Sequence, residues 1–198
     1  MISEQERDWL LVERVQAGDK QAFNLLVNKY QSRLFRLILR IITNPSEAED
    51  VVQETFIKAY RALRHFRGDA AFYTWLYRIA LNAAKNALVT RSRRKDTGQL
   101  QDDGQEGAVG AVVEDVNSPD AILASRQVAA AINEAMDNLP DVLRMALALR
   151  EIEGLSYDEI AQIMKCPIGT IRSRIFRARA LIALRLDPIL EHPGLLSD

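Results

Sequence analysis

The feature of this sequence that most constrains its fold is a stretch near the C-terminus that predicts two helices joined by a tight turn. Ser156, followed three residues later by Glu159, has the pattern of a capping box, in which each side chain bonds a free backbone N–H of the other residue. Pro167 ends the first helix, because proline disfavours helical geometry in the preceding residue and lacks an N–H. A second helix then starts near Ile168 or Gly169. The stretch is predicted to be a helix-turn-helix.

The second helix of this motif has an apolar side and a cationic side. Four apolar residues fall on one narrow stripe at about 100° per residue, and such a stripe must be buried. They are Ile171, Ile175, Ala178 and Ile182. From residue 168 to residue 186 there are five arginines and no Asp or Glu. Because a solvated helix face usually mixes both signs of charge, these arginines favour DNA binding over an ordinary surface helix.

The inventory of residues argues against a secreted, membrane or metal-dependent protein. Arginines interrupt the longest apolar runs, so none can cross a bilayer, and the acidic N-terminus lacks the regions of a signal peptide. Cys166 is the single cysteine, and His65 and His192 are the only histidines. These residues offer little material for a disulfide, a metal site or a catalytic triad. We expect a soluble, cytoplasmic protein that is not an enzyme, with no cofactor, metal site or catalytic residues.

Charge is strongly segregated along the chain, although the net charge is only −1. Residues 57–95 hold ten Lys or Arg and one acidic residue, whereas residues 96–120 hold seven Asp or Glu and no Lys or Arg. The acidic segment contains four glycines and little large apolar material, so it should lack a core of its own. We therefore predict two positive modules joined by a negative linker.

Helical periodicity continues through the rest of the chain, without any alternating strand pattern. Asp19, Asn44 and Asp69 are the expected N-caps of the second, third and fourth helices. The predicted fold class is all-α, with two small helical domains joined by a flexible acidic linker and a helix-turn-helix in the C-terminal domain. Cap and breaker signals place the first domain at 1–94, the linker at 95–117, the second domain at 118–190 and a tail at 191–198.

A second candidate nucleic-acid feature lies in the first domain. Residues 66–82 interleave five aromatic residues with arginines around a turn. Single-stranded bases stack on aromatic rings while cations follow the phosphates. Aromatic residues at helical spacing are nevertheless more often part of a core. The sequence therefore allows either role for Phe66 and Trp75, stacking on single-stranded bases or packing in the core.

Four blocks of this sequence resemble bacterial RNA polymerase sigma factors of the extracytoplasmic-function group, and most of all the sigma-E (AlgU-like) branch. They are LVERVQ at 11–16 with Gly18 and Asp19, DVVQETFIKAYRA at 50–62, FRGD at 66–69 with FYTWLYRIA at 72–80, and 154–179. Their order and spacing cover nearly the whole chain outside the linker. The resemblance implies an alternative sigma factor that binds the RNA polymerase core, through its β′ and β subunits, and directs promoter-specific initiation. It also implies an envelope or extracytoplasmic stress response under the control of an anti-sigma factor.

The same resemblance implies which residues contact each partner. The helix over 50–62 would dock on a coiled coil of β′ through Asp50, Gln53, Glu54 and Lys58, which by themselves look like an ordinary solvated surface. The −10 element would be melted and one flipped base captured by Ala62, Phe66, Trp75, Tyr77, Ile79 and Asn82, with Asn82 on the base edge. The −35 duplex would meet Arg172, Ser173, Arg174, Phe176 and Arg177, with Phe176 on a thymine methyl.

Two other functions fit parts of the sequence. A helix-turn-helix regulator that works without polymerase explains the C-terminal domain, but it leaves the aromatic and basic first domain unexplained. A nucleic-acid-processing enzyme would need a carboxylate–metal cluster, a phosphate-binding glycine loop or a nucleophile–base pair, and the sequence offers none of them. A requirement for core polymerase in promoter-specific binding distinguishes the sigma factor from the free regulator.

Overall fold

The computed structural model describes residues 2–96 and 129–191 of the 198-residue chain. Within these ranges all regular structure is helical, which confirms the all-α prediction. The helices are α1 (Glu4–Gln16), α2 (Lys20–Ile42), α3 (Pro45–Leu63), α4 (Phe72–Asp96), α5 (described over 129–137), α6 (Asp141–Glu151), α7 (Tyr157–Met164) and α8 (Ile168–Glu191). Most of the predicted linker at 95–117 and tail at 191–198 lies outside the described residues.

Local capping contacts set where several helices begin. Ser156 and Glu159 close the predicted capping box at the start of α7. Asp19 accepts hydrogen bonds from two backbone N–H groups in the first turn of α2, and Asn44 accepts one in the first turn of α3. Each such cap stabilises its helix by about 1 kcal/mol. The three predicted caps are confirmed.

The fourth helix begins later than its expected cap at Asp69. Residues 68–70 form a bend, and α4 starts at Phe72. The bend is enforced at Gly68, which has a φ of +78° and lies so close to Trp9 that an added Cβ would sit 2.7 Å from the indole ring. Because the backbone is held in this left-handed geometry, the chain can enter helical geometry only beyond it.

The N-terminal domain is assembled around α2, which packs against α1, α3 and α4. Side chains along one side of α2 are completely buried: Ala22, Leu26, Tyr30, Leu34, Leu37, Ile38 and Ile41. Burying each of the larger ones contributes about 1.5–3 kcal/mol. At the start of this stripe, the buried carboxylate of Asp8 accepts hydrogen bonds from the Tyr30 hydroxyl and the Lys29 ammonium group, which ties α1 to α2.

The C-terminal domain packs α6 and α7 against α8, and it also rests on the N-terminal domain. Helix α6 contacts α2, and α7 contacts α4. The side chain of Arg144 is nearly buried at this junction and donates from Nη1 to the carbonyl oxygen of Ile41 at 2.9 Å. That carbonyl lies in the last turn of α2, where free backbone oxygens and the negative end of the helix dipole favour a cation.

We expect Gly68→Ala to lower the free energy of unfolding more than Gly18→Ala does. Both glycines have positive φ, +78° and +100°. An alanine is strained there by about 1–3 kcal/mol. Only at Gly68 does the new Cβ also meet a side chain, because the site around Gly18 has no neighbour within 4 Å. Chemical denaturation followed by circular dichroism measures both losses, and equal losses would contradict the packing of Trp9 against Gly68.

Candidate nucleic-acid interface

Helix α8 has a cationic face opposite its buried stripe. Three residues of the predicted stripe are at most 1% exposed: Ile171, Ile175 and Ala178. Ile182, the fourth, is half-buried. The opposite side carries four exposed candidates, Arg172, Ser173, Phe176 and Arg177, and Phe176 is 75% exposed. The stripe fixes the rotation of α8 and therefore decides which arginines face solvent.

Contacts within the domain divide the arginines of α8 into two groups. Arg179 pairs with Glu151 of α6 at 2.6 Å. Arg174 is half-buried and donates from Nη1 to the sulfur of Cys166 at 3.5 Å. Within the described parts of the chain, neither Arg172 nor Arg177 has a hydrogen bond or ion pair. Two exposed guanidinium groups without a carboxylate are thus available for an anionic partner.

Two of the −10 candidates, Phe66 and Trp75, belong to an aromatic cluster at the turn into α4. Their ring centroids are 4.9 Å apart, and the Phe72 ring lies 6.3 Å from Phe66 and 5.7 Å from Trp75. Phe66 is 9% exposed, whereas Trp75 is half-buried. Phe66 is therefore a core residue, whereas part of the neighbouring Trp75 side chain is accessible to solvent.

The other four −10 candidates differ in accessibility. Ala62 and Asn82 are exposed, Ile79 is half-buried and Tyr77 is fully buried. The hydroxyl of Tyr77 donates a hydrogen bond to the carboxylate of Glu153 in the C-terminal domain. Burial, together with this hydrogen bond, raises the pKa of Tyr77 far above its ordinary value, so the phenol stays neutral. In this arrangement Tyr77 contacts the other domain and has no access to DNA.

An apolar groove of about 1150 Å³ lies between α2 and α3. The rings of Phe23 and Tyr60 have centroids 4.9 Å apart in its wall. Ile57 and Tyr60 are 46% and 43% exposed, so this part of the groove presents apolar side chains to solvent. The sequence did not predict this groove, because local periodicity does not show which side of a helix its neighbours leave uncovered. The available signal was Ile57, an apolar residue on the otherwise polar side of α3.

The four candidates for core-polymerase binding lie on α3 and are exposed. Asp50 and Gln53 line the groove between α2 and α3. Glu54 and Lys58 form an ion pair with each other at 2.6 Å. An exposed pair of this kind contributes little to stability, about 0.3–0.5 kcal/mol. All four side chains are therefore accessible, and two of them border the exposed apolar surface.

Comparison with known proteins identifies the family. Residues 26–94 match the Sigma-70 region 2 family, and residues 129–182 match the Sigma-70 region 4 family. The chain is 53% identical over 187 residues to the RNA polymerase sigma-H factor of Pseudomonas aeruginosa. The aligned region covers 94% of this chain and 97% of that protein. The chain is also 48% identical over 190 residues to the ECF RNA polymerase sigma-E factor of Escherichia coli, an alignment that covers 96% of this chain and 99% of that protein. The chain belongs to the extracytoplasmic-function (ECF) RNA polymerase sigma factors.

Solved structures of related proteins agree with this assignment. CnrH in complex with the cytosolic domain of CnrY superposes with a TM-score of 0.66 at 25% identity, covering 92% of this chain and 98% of that chain. RpoE of Bartonella quintana in complex with the anti-sigma factor NepR gives a TM-score of 0.66 at 25% identity, covering 83% of this chain and 96% of that chain. The resemblance found in the sequence is confirmed, as is the function it implies for the family, transcription initiation.

Two other kinds of feature are absent from the described residues. No helix described in this sigma factor combines the length and the apolar character that crossing a bilayer requires. In the same residues, His, Cys, Asp and Glu side chains do not gather in any group of three or more that suits a metal ion.

We expect Arg177→Ala to weaken binding to −35 duplex DNA by about 1–3 kcal/mol and to relax the preference at one base pair. Arg185→Ala is the matched control, because Arg185 is an exposed arginine on the same helix, two turns beyond Arg177 and 3.9 Å from Glu134. It should change the affinity little. Titration against a set of single-base variants at several salt concentrations measures both effects. A uniform loss over all sequences, with a flatter salt dependence, would mean that Arg177 contacts a phosphate instead of a base.

Proposed function

We propose that this sigma factor binds the RNA polymerase core through the groove between α2 and α3. In that complex it binds two promoter elements at the same time. Its second domain reads the −35 duplex with α8, and its first domain melts and reads the −10 element around the turn into α4. The observation that carries this proposal is the uncompensated arginine face of α8. This face belongs to the second helix of a helix-turn-helix and is open to solvent. Its position and positive charge are those of a recognition helix that binds in the major groove of DNA.

For the −35 element, the exposed residues of α8 divide into base readers and positioning contacts. Arg172 and Arg177 offer guanidinium forks without competing carboxylates, which suits a guanine edge. Ser173 already donates its hydroxyl to the Thr170 carbonyl oxygen at 2.9 Å, so its oxygen is left as an acceptor. Phe176 is suited to the methyl group of a thymine. Arg174, half-buried beside Cys166, is better placed for a phosphate at the rim of the groove.

For the −10 element, the exposed amide of Asn82 supplies both a donor and an acceptor for the Watson–Crick edge of a flipped base. Ala62 and Ile79 provide apolar neighbours for that base, while the buried ring of Phe66 packs against Trp75, with the ring centroids 4.9 Å apart. The accessible part of Trp75 provides a stacking surface. Nothing in this step requires bond making or breaking, and we assign the chain no catalytic residue and no cofactor.

For the polymerase core, the groove between α2 and α3 combines an apolar centre with a polar rim, which is the usual anatomy of a protein interface. Ile57 and Tyr60 form the exposed apolar part, and Asp50 and Gln53 border it. We assign this surface to the coiled coil of β′. The second domain would rest on β. The first domain comprises 1–94, the linker 95–117, the second domain 118–190 and the tail 191–198.

Control of this sigma factor is proposed to come from an anti-sigma partner in the cytoplasm, in a response to envelope or extracytoplasmic stress. The structural relatives CnrH and RpoE are each held in a complex, with CnrY and with the anti-sigma factor NepR respectively. Transcription in vitro by core polymerase, with and without this chain, on a library of promoters tests the proposed function. Sequence-selective binding that needs no core polymerase would instead favour a free helix-turn-helix regulator.

We expect Ile57→Lys to weaken binding to core polymerase at least about tenfold, because it places a charge in the apolar centre of the groove. Val89→Lys is the control, since Val89 is an apolar residue of similar exposure, 44% against 46%, that lies on α4 away from the groove. Fluorescence titration of labelled chain with core polymerase gives both affinities. Equal affinities for the two variants would show that the groove is not part of the interface with core polymerase.

We expect Asn82→Ala to impair promoter opening and to leave binding to −35 duplex unchanged. The amide contacts only a base that has left the duplex. Permanganate reactivity of unpaired thymines measures opening, and a gel shift with −35 duplex provides the control. Normal opening with an unchanged −10 preference would refute the pocket assignment.

A further inference from the structure

The turn between α7 and α8 contains a lysine in a backbone conformation that L-residues rarely adopt. Lys165 has φ +50° and ψ +50°, which lies in the left-handed helical region. The N–H of the next residue, Cys166, donates to the carbonyl oxygen of Ala161 at 3.2 Å and so closes the end of α7. Glycine is the usual residue at the left-handed position of such a turn, because it has no Cβ to clash with the backbone. The turn itself therefore does not require a lysine, and a glycine would fit it with less strain.

The ammonium group of Lys165 has no partner within the described parts of the chain. The residue is exposed, and its side chain forms neither an ion pair nor a hydrogen bond there. Asp158, near the start of α7, borders the same shallow hollow of about 550 Å³ but forms no ion pair with Lys165. A positive charge thus faces solvent at the turn without a carboxylate bound to it.

A second cation lies on the same edge of the helix-turn-helix. The sulfur of Cys166, the residue after Lys165, accepts a hydrogen bond from Arg174 Nη1 at 3.5 Å. Consecutive Cα atoms are only about 3.8 Å apart, so the backbone of Lys165 lies next to the residue that holds the guanidinium group. The turn and the first half of α8 therefore contribute one cation each to this edge.

The way in which a helix-turn-helix binds duplex DNA gives this edge a definite neighbour. Its first helix crosses the DNA backbone, while the N-terminal part of its second helix enters the major groove. The turn that joins the two helices then lies at the border of the groove, beside the phosphates. A lysine ammonium group is a compact charge on a flexible stem, which suits a phosphate better than the planar edge of a base.

We propose that Lys165 binds a backbone phosphate of the −35 duplex and, together with Arg174, fixes the position of α8 on that duplex. This inference rests on the proposed function, because it requires α8 to lie in the major groove of the −35 element. A phosphate contact carries no sequence information, so Lys165 sets the register of the helix while Arg172 and Arg177 face the bases. The same residue thus lowers the stability of the turn and raises the affinity for DNA.

Replacing Lys165 with glycine separates these two effects. The experiment uses holoenzyme reconstituted from core polymerase and the full chain. Its probe is a fluorescent duplex that carries the −35 element of a promoter transcribed by that holoenzyme and ends before the −10 element. Lys165→Gly should weaken binding and make the slope of log K against log salt flatter by about 0.9, the value for one lost phosphate. The melting temperature of the free chain should rise by about 2–4 °C, because the left-handed strain is relieved.

Opposite changes in stability and affinity exclude unfolding as the cause of weaker binding, and three further variants isolate the charge. Lys165→Arg keeps a cation on the same backbone and should bind like the unmutated chain. Lys165→Asn is a second neutral variant that tolerates the left-handed conformation, and it should bind like Lys165→Gly. Arg185→Ala removes an exposed cation elsewhere on α8 and should change the affinity little.

The results that would overturn the contact follow from the same variants. They are an unchanged affinity in Lys165→Gly, a loss in Lys165→Arg as large as in Lys165→Gly, or a loss of that size in Arg185→Ala. The last result would mean that only the net charge of the domain matters.

A set of duplexes that each have one phosphate replaced by a neutral methylphosphonate locates the contact. One replacement should weaken binding of the unmutated holoenzyme and have no further effect on Lys165→Gly. The absence of any such position would overturn the contact. If holoenzyme with the unmutated chain transcribes no promoter, the proposed function fails instead. Normal transcription, together with unchanged binding by Lys165→Gly, would contradict the role of Lys165 alone.

Discussion

The apolar stripe along α2 is the constraint on which the rest of the described structure depends. Leu26, Leu34 and Ile38 on this side of the helix have no exposed surface, and α1, α3 and α4 pack around it. The end of the same helix presents the Ile41 carbonyl to Arg144 of the C-terminal domain. One helix thus orders the first domain and also provides the platform on which the second domain rests. The groove that we propose for the polymerase partner lies on the side of α2 and α3 that this core leaves uncovered.

Pairing within the chain separates structural cations from those that are available to a partner. Arg144, Arg33 and Arg179 each meet an oxygen of the protein. Arg144 and Arg179 each tie two helices together, and Arg33 ties α2 to the loop after α6. Arg172 and Arg177 on α8 have no such contact in the described residues. Because an arginine is charged at any physiological pH, the difference between these groups lies in their neighbours and not in their ionisation. These two unpaired guanidinium groups mark the surface of α8 that we propose for DNA.

Sequence alone predicted the features that are decided over a few residues. The caps at Asp19, Asn44 and Ser156 depend on hydrogen bonds within one helix, and all three were found. The buried stripe of α8 depends on spacing within one helix, and three of its four residues are buried. The expected cap at Asp69 was wrong, because α4 begins only beyond the left-handed turn at Gly68. At that turn the backbone packs closely against Trp9, which lies far away in the sequence. Local pattern contains no information about such a contact.

In the candidate site, too, features set within one helix were predictable from the sequence and contacts between the domains were not. The exposed side of α8 followed from periodicity, whereas the burial of Tyr77 did not, because its partner Glu153 lies in the other domain. Glu159 is another example: its cap to Ser156 is readable from the sequence, but its bond to Tyr73 depends on how α7 meets α4. The residue roles on the −10 and core-binding surfaces stay predictions, since accessibility alone does not identify the partner that uses them.

We propose that the two domains bind separate promoter elements only when the chain is bound to RNA polymerase. Footprinting of one promoter with this chain alone, with core polymerase alone and with the mixture tests this proposal. We expect protection of the −35 and −10 elements in the mixture, with neither element protected at the same concentration of the chain alone. Specific protection by the chain alone, unaltered when core polymerase is added, would contradict it.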